Sequence, residues 1–354
     1  MKIKTLKLSL YVMAILIAFI SCKDDEDSVA TFVEANRTEQ QAIDKDSILL
    51  HLTTHYYNSG FFETGTNHKY TDIIITELPQ DEDGNYLAIP DPTLNTLLID
   101  AVETRFATFL DTEYEYYVLN LNQGGGAAPK FTDAVRVRYE GVSIGKDEIF
   151  DGVITPIDLL LQGNGVNTFG AIKAWQLIMP SFNSASDFSL DNGIVNYNNY
   201  GLGVMFVPSG LAYFSRANTG SSYDNLIFKF ELLQFQELDH DNDGVPSYVE
   251  DLDGNLEVGD DNTDDDVLPN FIDSDDDGDE VLTIDELIPT VYIVNIDNGE
   301  EEPVLADNEY ERSRSESAGI ITINTVTIID SNNDGTPDYL DDTVTINYNE
   351  DEDN

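Results

Sequence analysis

The chain has a single cysteine, Cys22, so no disulfide can form within it. Basic residues are scarce: 17 Lys and Arg stand against 68 Asp and Glu, a formal net charge of -51. That balance argues against a nucleic-acid partner, because phosphate would be repelled. Long hydrophobic runs are missing too, apart from Leu8 to Ile20, which is too short and badly flanked for a spanning helix. Histidine is rare, with four residues, and His51 and His55 stand at i and i+4, a spacing that can bind zinc on a helix. No glutamate follows His51 and no third ligand is evident, so the pair reads as two polar residues on a helix flank.

What is present is unevenly placed. A chain of 354 residues implies two or three folded units, and 41% apolar residues suffice for a core. From Glu237 to the C-terminus there are 38 Asp and Glu against only Arg312 and Arg314, a net of 2 − 38 = -36. Such a block is either disordered or neutralised by cations, and the pattern inside it decides which.

The N-terminus is a targeting segment and stands outside fold reasoning. Lys2, Lys4 and Lys7 precede the apolar run, which ends in Phe19-Ile20-Ser21-Cys22. That ending resembles a bacterial lipobox, whose cysteine becomes the lipidated first residue. The following Lys23-Asp24-Asp25-Glu26-Asp27 is similar to the signal that sends lipoproteins of Bacteroidota to the cell surface. The resemblance implies residues 1–22 as signal peptide, lipidation of Cys22 as the contact with the membrane, and an outer-membrane lipoprotein exposed at the cell surface. A periplasm-facing orientation is the alternative. Residues 23–45 read as an acidic tether and linker.

Residues 46–113 read as a helical extension. Asp46-Ser47 is a plausible N-cap for an apolar face that begins at Ile48-Leu49-Leu50-His51-Leu52 and runs to Tyr57. Residues 58–90 carry turn signals such as Asp83-Gly84-Asn85, and Pro92 to Leu110 predicts a second amphipathic helix. Tyr116-Tyr117-Val118-Leu119-Asn120-Leu121 alternates as a strand, and Gly124-Gly125-Gly126 turns flexibly into the next unit.

Residues 114–236 combine several β-patterned runs with one short helical stretch around Ile172 to Trp175, which predicts an α+β antiparallel sheet wrapped on a short helix. Val135-Arg136-Val137-Arg138-Tyr139-Glu140-Gly141 comes first, then Phe150-Asp151-Gly152, then Ala171-Ile172-Lys173-Ala174-Trp175 with the only tryptophan. Val204 to Tyr213 and Leu226 to Leu233 close the set. In this order the segments resemble the FKBP-type peptidyl-prolyl isomerases. The resemblance implies a proline pocket floored by Trp175 and walled by Tyr139, Phe150 and Phe228, with Asp151 as a buried carboxylate near the twisted amide. It implies that the Ile172 N–H and the Tyr213 hydroxyl anchor the substrate backbone, and that Ile157 fills a position that is usually aromatic. It also implies proline-containing polypeptides as substrates, no cofactor for catalysis, and a dimerising or substrate-capturing role for the extension. The chain departs from the family at Ala174, where glycine is usual, and at Thr219-Gly220-Ser221-Ser222, where a Pro-Pro pair is usual. Phe214 replaces the glycine after Tyr213 and is expected to place a bulky group beside the site. An insertion spans roughly Asn183 to Tyr197.

Residues 237–354 contain a repeat. Asp239 to Glu250, Asn262 to Asp273 and Asp330 to Asp341 each place oxygen side chains at positions 1, 3 and 5, proline at 8, an aromatic at 10 and a carboxylate at 12. That spacing suits structural Ca²⁺, a hard cation taking six to eight oxygens. The expected ligands are Asp239, Asp241, Asp243 and Glu250; Asn262, Asp264, Asp266 and Asp273; and Asp330, Asn332, Asp334 and Asp341. A fourth loop is read from Asp273 through Asp275 and Asp277 to Gly278, with Asp285 or Glu286 closing it. The set resembles thrombospondin type 3 repeats, which implies an irregular, calcium-filled region. Between the arrays, residues 290–294 and 320–323 suggest short strands.

Two other functional classes stand beside the isomerase: a non-catalytic module that grips proline-containing segments, and a calcium-stabilised structural or adhesive surface protein.

Overall fold

A computed structural model describes residues 33–146 and 148–349. The elements named here all belong to the compact unit Arg37–Asn354. The expected leader, Cys22 and the Lys23 to Asp27 segment lie outside the described residues. Among the described residues no helix is long and apolar enough to cross a membrane.

The first element is helix α1 (Arg37–Thr54), which starts nine residues before the expected boundary at 46 and takes in much of the expected linker. Its buried positions include Gln40, Asp44, Ile48 and Leu52, four apart, so one stripe runs along the helix from its polar start. Polar members of that stripe find partners: Gln40 donates to Asp44 (2.7 Å), and Asp44 accepts from both the backbone and the hydroxyl of Ser209 (2.9 and 2.6 Å). The linker reading failed because this part of the buried stripe is polar. Strands β1 (His55–Tyr57), β2 (Ile75–Glu77) and β3 (Thr96–Leu97), with helices α2 (Ser59–Phe62) and α3 (Leu98–Ala101), complete the extension, which is therefore mixed, not helical.

Pro92 to Leu110 does not form the expected helix. After α3 comes strand β4 (Glu103–Phe109), paired antiparallel with β5 (Thr112–Asn122). Leu110 and Asp111, both at positive φ (47° and 58°), make a two-residue turn whose twist matches the hairpin. The usual Asn-Gly signal of such a turn is absent here, which hid the strand. The sheet accordingly begins one strand before residue 114.

Six antiparallel strands run in the order β4-β5-β10-β11-β6-β7, with β6 (Ala134–Ser143), β7 (Ile149–Leu160), β10 (Gly201–Val207) and β11 (Leu226–Gln236). Both faces are covered. Tyr116, Val118, Met205, Phe228 and Phe230 face a core shared with helix α4 (Lys173–Ile178). Tyr117, Leu119, Val204, Phe206 and Ile227 face Ile48 and Leu52 of α1. The unbroken apolar run Val204 to Val207 follows from this double burial, since alternation is needed only where one face is wet. The insertion is hairpin β8 (Asp187–Asp191) and β9 (Ile194–Asn198), turning at Asn192 and Gly193, both at positive φ. In the acidic third, β12 (Ile288–Asn295), β14 (Ile320–Thr327) and β13 (Glu309–Ser317) form a three-stranded sheet, longer than the short strands expected there.

Candidate functional site

The aromatic residues that the sequence singles out come together around one glycine. Gly141 on β6 pairs with Phe228 on β11 and Asp151 on β7. A Cβ on Gly141 would stand 2.7 Å from the Phe228 ring and 2.9 Å from the Phe150 ring, so only glycine lets the two close over the strand. Trp175 meets Tyr139 and Phe228 edge-on, at 5.3 and 5.4 Å between ring centroids. Phe150 meets Phe228 at 5.6 Å and Tyr213 at 6.4 Å in the same manner. These edge-to-face contacts are the geometry aromatic quadrupoles favour. Trp175 and Phe228 are buried, 3% and 2% exposed, and form a floor; Phe150, Ile157, Ile172 and Tyr213 are half-buried around it.

Tyr139 donates a hydrogen bond to Asp151 (2.7 Å), whose other oxygen accepts from the Gly152 N–H (2.8 Å). Burial and the neighbouring Asp151 charge push the Tyr139 phenol well above its usual range; burial and the same charge raise Tyr213. Asp151 itself is exposed, not buried as expected, because β7 is the edge strand and turns that carboxylate toward solvent. Ile172 precedes α4 in extended conformation, and its carbonyl accepts the Trp175 N–H (3.0 Å). Ile157 stands opposite Val137 on β6.

Phe214 does not crowd this site. Its φ of 50° lies in the left-handed region, the conformation glycine adopts without strain. Its buried ring turns instead toward Tyr223 (5.0 Å) and the Arg37 guanidinium (4.1 Å). The loop in place of Pro-Pro is closed by polar bonds: Lys146 donates to Ser221 (2.7 Å), and Ser222 to the Ser215 carbonyl (2.7 Å).

A cavity of about 1030 Å³ adjoins the cluster. It shares Tyr139, Phe150 and Asp151 with it but not Trp175, Tyr213 or Phe228, and extends to Tyr70, Tyr197 and Glu231. Sequence reasoning missed this part. Buried Glu231 pairs with Arg138 directly across the strands (2.9 Å) and accepts the Tyr70 N–H (3.0 Å), which pins the extension to the sheet. Glu231, the acidic one of two charges inside the apolar run Leu226 to Leu233, with Arg138 on the alternating strand before Glu140, was the available signal.

In the acidic third, four loops share one hydrogen-bond frame. The N–H at position 2 donates to the side chain at position 9: His240 to Ser247, Thr263 to Asn270, Asp276 to Thr283 and Ser331 to Asp338. The N–H at position 9 returns to the carbonyl preceding position 1 in all four. Position 4 has positive φ throughout, at Asn242, Asp265, Gly278 and Asn333. This frame starts the fourth loop at Asp275, two residues later than expected, and puts Glu286 at position 12.

Carboxylates gather accordingly, each group offering oxygens within 4.8 Å of one another. The groups are Asp239, Asp241 and Asp243; Asp264, Asp266 and Asp273; and Asp275, Asp277 and Asp279. Asp273 thus closes the second loop and leaves the fourth, where Asp279 takes a place the sequence reading had missed. Asp251, Asp253 and Asp261 form another group, also missed. The loop from Asp330 differs. Its carboxylates are not gathered in this way, and the Asn332 amide donates to Asp341 (2.8 Å) and Asp334 (3.3 Å).

The donor set fits a hard dication. Asp241, Asp243, Glu250, Asp261, Asp275, Asp277, Asp279 and Glu286 all carry buried oxygens with no hydrogen-bond partner, as does Asn262. Buried anions without counter-charge cost several kcal/mol each, on the order of 3–5 when a partner is missing. Burial, then neighbouring carboxylates, push Glu286 up to about 9 and Asp276 up to about 8. His51, by contrast, is buried and stacked on His55 (3.7 Å), and no gathered group among the described residues includes a histidine.

Residues 240–301 match the family model described as BamM C-terminal, not a thrombospondin type 3 model. No curated protein matches the chain. Among solved structures, similar chains include a peptidyl-prolyl cis-trans isomerase from Pseudomonas syringae pv. tomato (19% identity, TM-score 0.27). It is matched over 34% of this chain and 76% of its own. FkpA from Escherichia coli follows at 22% identity and TM-score 0.28, over 38% of this chain and 52% of its own. The N-terminal domain of FKBP42 from Arabidopsis thaliana matches at 16% identity and TM-score 0.27, over 34% and 87%.

Proposed function

We propose that the chain is a peptidyl-prolyl cis-trans isomerase of the FKBP type that assists folding of extracytoplasmic proteins. In this reading lipid on Cys22 holds it to the outer membrane, facing the cell surface, and calcium stiffens the acidic third. The observation that carries the isomerase is the aromatic floor and walls closed around Gly141, with Tyr139 bonded to Asp151 at the rim.

The chemistry suits such a site. An X-Pro amide rotates over a barrier of about 18–20 kcal/mol, and no bond is broken. A nucleophile or general base is unnecessary; a dry, shaped pocket that fits the twisted amide lowers the barrier by differential binding. Trp175, Phe228 and Phe150 offer the apolar seat for the proline ring. In this reading the Ile172 N–H and the Tyr213 hydroxyl hold the peptide backbone. Calcium, where bound, supplies positive charge to the carboxylates of the gathered loops.

The test is an isomerisation assay on a proline peptide with the chain, Trp175→Ala and Asp151→Ala. Turnover that falls in both variants supports the reading. Absence of turnover with persistent peptide binding moves the protein to the gripping class, which the polar Thr219 to Ser222 rim favours. Loss of both leaves the calcium-stabilised surface module.

A further inference from the structure

We propose that Asp243, Glu250 and Asp276 form one divalent-cation site shared between the loop 239–250 and the loop 275–286. The proposal deepens the calcium reading above and rests on it, but it assigns a ligand from outside the first repeat.

Asp243, Glu250 and Asp276 are 2%, 0% and 2% exposed, and one oxygen of each lies within 4.8 Å of the others. Of the gathered groups it is the one in which every member is buried. Oxygens on opposite sides of a calcium ion at 2.3–2.6 Å stand roughly 4.6–5.2 Å apart, so the spacing suits that ion.

The carboxylates are also oriented. Asp243 accepts the Val245 N–H (2.8 Å) with one oxygen and leaves the other unpartnered. Asp276 accepts the Thr283 hydroxyl (3.0 Å) with one oxygen and leaves the other unpartnered. Glu250 leaves both without a partner although it is wholly buried. Among the described residues no ion pair reaches any of the three, although Arg312 lies beside Gly244 and its positive charge is felt at Asp243. Unpartnered carboxylate oxygens converging in a dry space suit a cation.

The shared ion ties the two loops across the chain between them. It also abuts the small core of Val245, Leu287, Val326 and Tyr339, on which the β12–β14 sheet rests. A local loop ion braces only its own turn; this one braces the acidic third as a unit.

The test compares the full chain with Asp276→Asn and, as a local-loop control, Asp264→Asn. Calcium uptake is counted by equilibrium dialysis and calorimetry, and melting is followed with calcium and with chelator. Asp276→Asn keeps an acceptor for Thr283. It is expected to lose one ion or weaken the tightest site at least about tenfold, since calcium affinity follows ligand charge. It is also expected to melt higher than the wild-type chain in chelator, where repulsion is relieved, and lower in calcium. Hydrogen exchange in calcium should rise in both loops for Asp276→Asn and near 262–273 alone for Asp264→Asn. If Asp276→Asn matches wild type while Asp264→Asn loses an ion, the shared site is wrong and the local loops stand. Lower melting in both conditions reduces Asp276 to a partner of Thr283 and likewise overturns the proposal. A wild-type chain that takes up no calcium defeats the calcium reading and this site together.

Discussion

Lys173, the first residue of α4, pairs with Glu257 at 2.5 Å and donates to the Leu256 carbonyl at the same distance. The helix that carries Trp175 is thereby tied to the acidic third. The two partners differ in burial: the Lys173 side chain is 6% exposed and Glu257 40%. Removing a partner costs most when the charge left behind is buried. Glu257→Gln, which strands a buried ammonium, should destabilise by about 1–3 kcal/mol. Lys173→Met, which strands a half-exposed carboxylate, should cost less. Chemical denaturation of the two variants checks the order, and equal losses would show that the pair's charge does not govern this joint.

The Tyr139 to Asp151 bond sits at an exposed rim, so its loss should affect function more than folding. Tyr139→Phe keeps the ring that packs on Trp175 and Phe228. Stability should fall by about 1 kcal/mol, the net value of one hydrogen bond. If the rim holds the twisted amide, turnover should fall about tenfold or more, a loss near 1.4 kcal/mol of transition-state binding. A denaturation curve beside a turnover assay separates the two, and unchanged turnover would remove Tyr139 from the site.

What was legible in the sequence depended on whether local chemistry or long-range pairing set the structure. Gly141, Phe150 and Trp175 were found because their order along the chain is itself the pattern. The insertion expected from Asn183 to Tyr197 is a hairpin whose Asn192-Gly193 corner carries its own turn signal. The β4–β5 hairpin does not, since Leu110-Asp111 is an uncommon pair for two left-handed residues. Asp151 looked buried because a motif says nothing of which strand lies at the sheet edge. Phe214 looked obstructive because a residue type does not reveal φ, and the left-handed backbone sends the ring to Arg37. Asp273, Asp275 and Asp277 alternate, so the sequence points to a fourth loop starting at Asp273, and the bond from Asp276 to Thr283 moves that start to Asp275.

Two buried groups should give opposing pH effects. Burial and His55 lower His51 to about 3, from 6.5. The unfolded chain then binds a proton that the folded chain refuses, so stability is lost as pH falls from 6.5 toward 3. At pH 5 the loss is about 2 kcal/mol. Asp133 runs the other way: burial, then the Glu237 charge, raise it to about 7. The folded form takes its proton first, so stability is gained as pH falls from 7 toward 4. His51→Gln should therefore become more stable between pH 7 and pH 5, and Asp133→Asn less stable. Melting temperatures across that window read the signs, and parallel profiles for the two variants would refute both assignments.

Calcium removal should act selectively on the acidic third. The sheet core between α1 and α4 is apolar on both faces and contains none of the gathered carboxylate groups. Beyond Glu237 the loops hold carboxylates whose buried oxygens have no partner, and the apolar clusters there, around Val245, Phe271 and Val294, are small. Each ion bound at about 100 times its dissociation constant adds about 2.7 kcal/mol to the folded state. Several such ions outweigh those clusters, so chelation should open the loops while the sheet core stays closed. Limited proteolysis with and without chelator is the measurement. Cleavage is expected between 239 and 287 only in chelator, leaving a resistant fragment that begins near Arg37 and ends near Gln236. Equal cleavage in both conditions would mean that something other than calcium neutralises these loops.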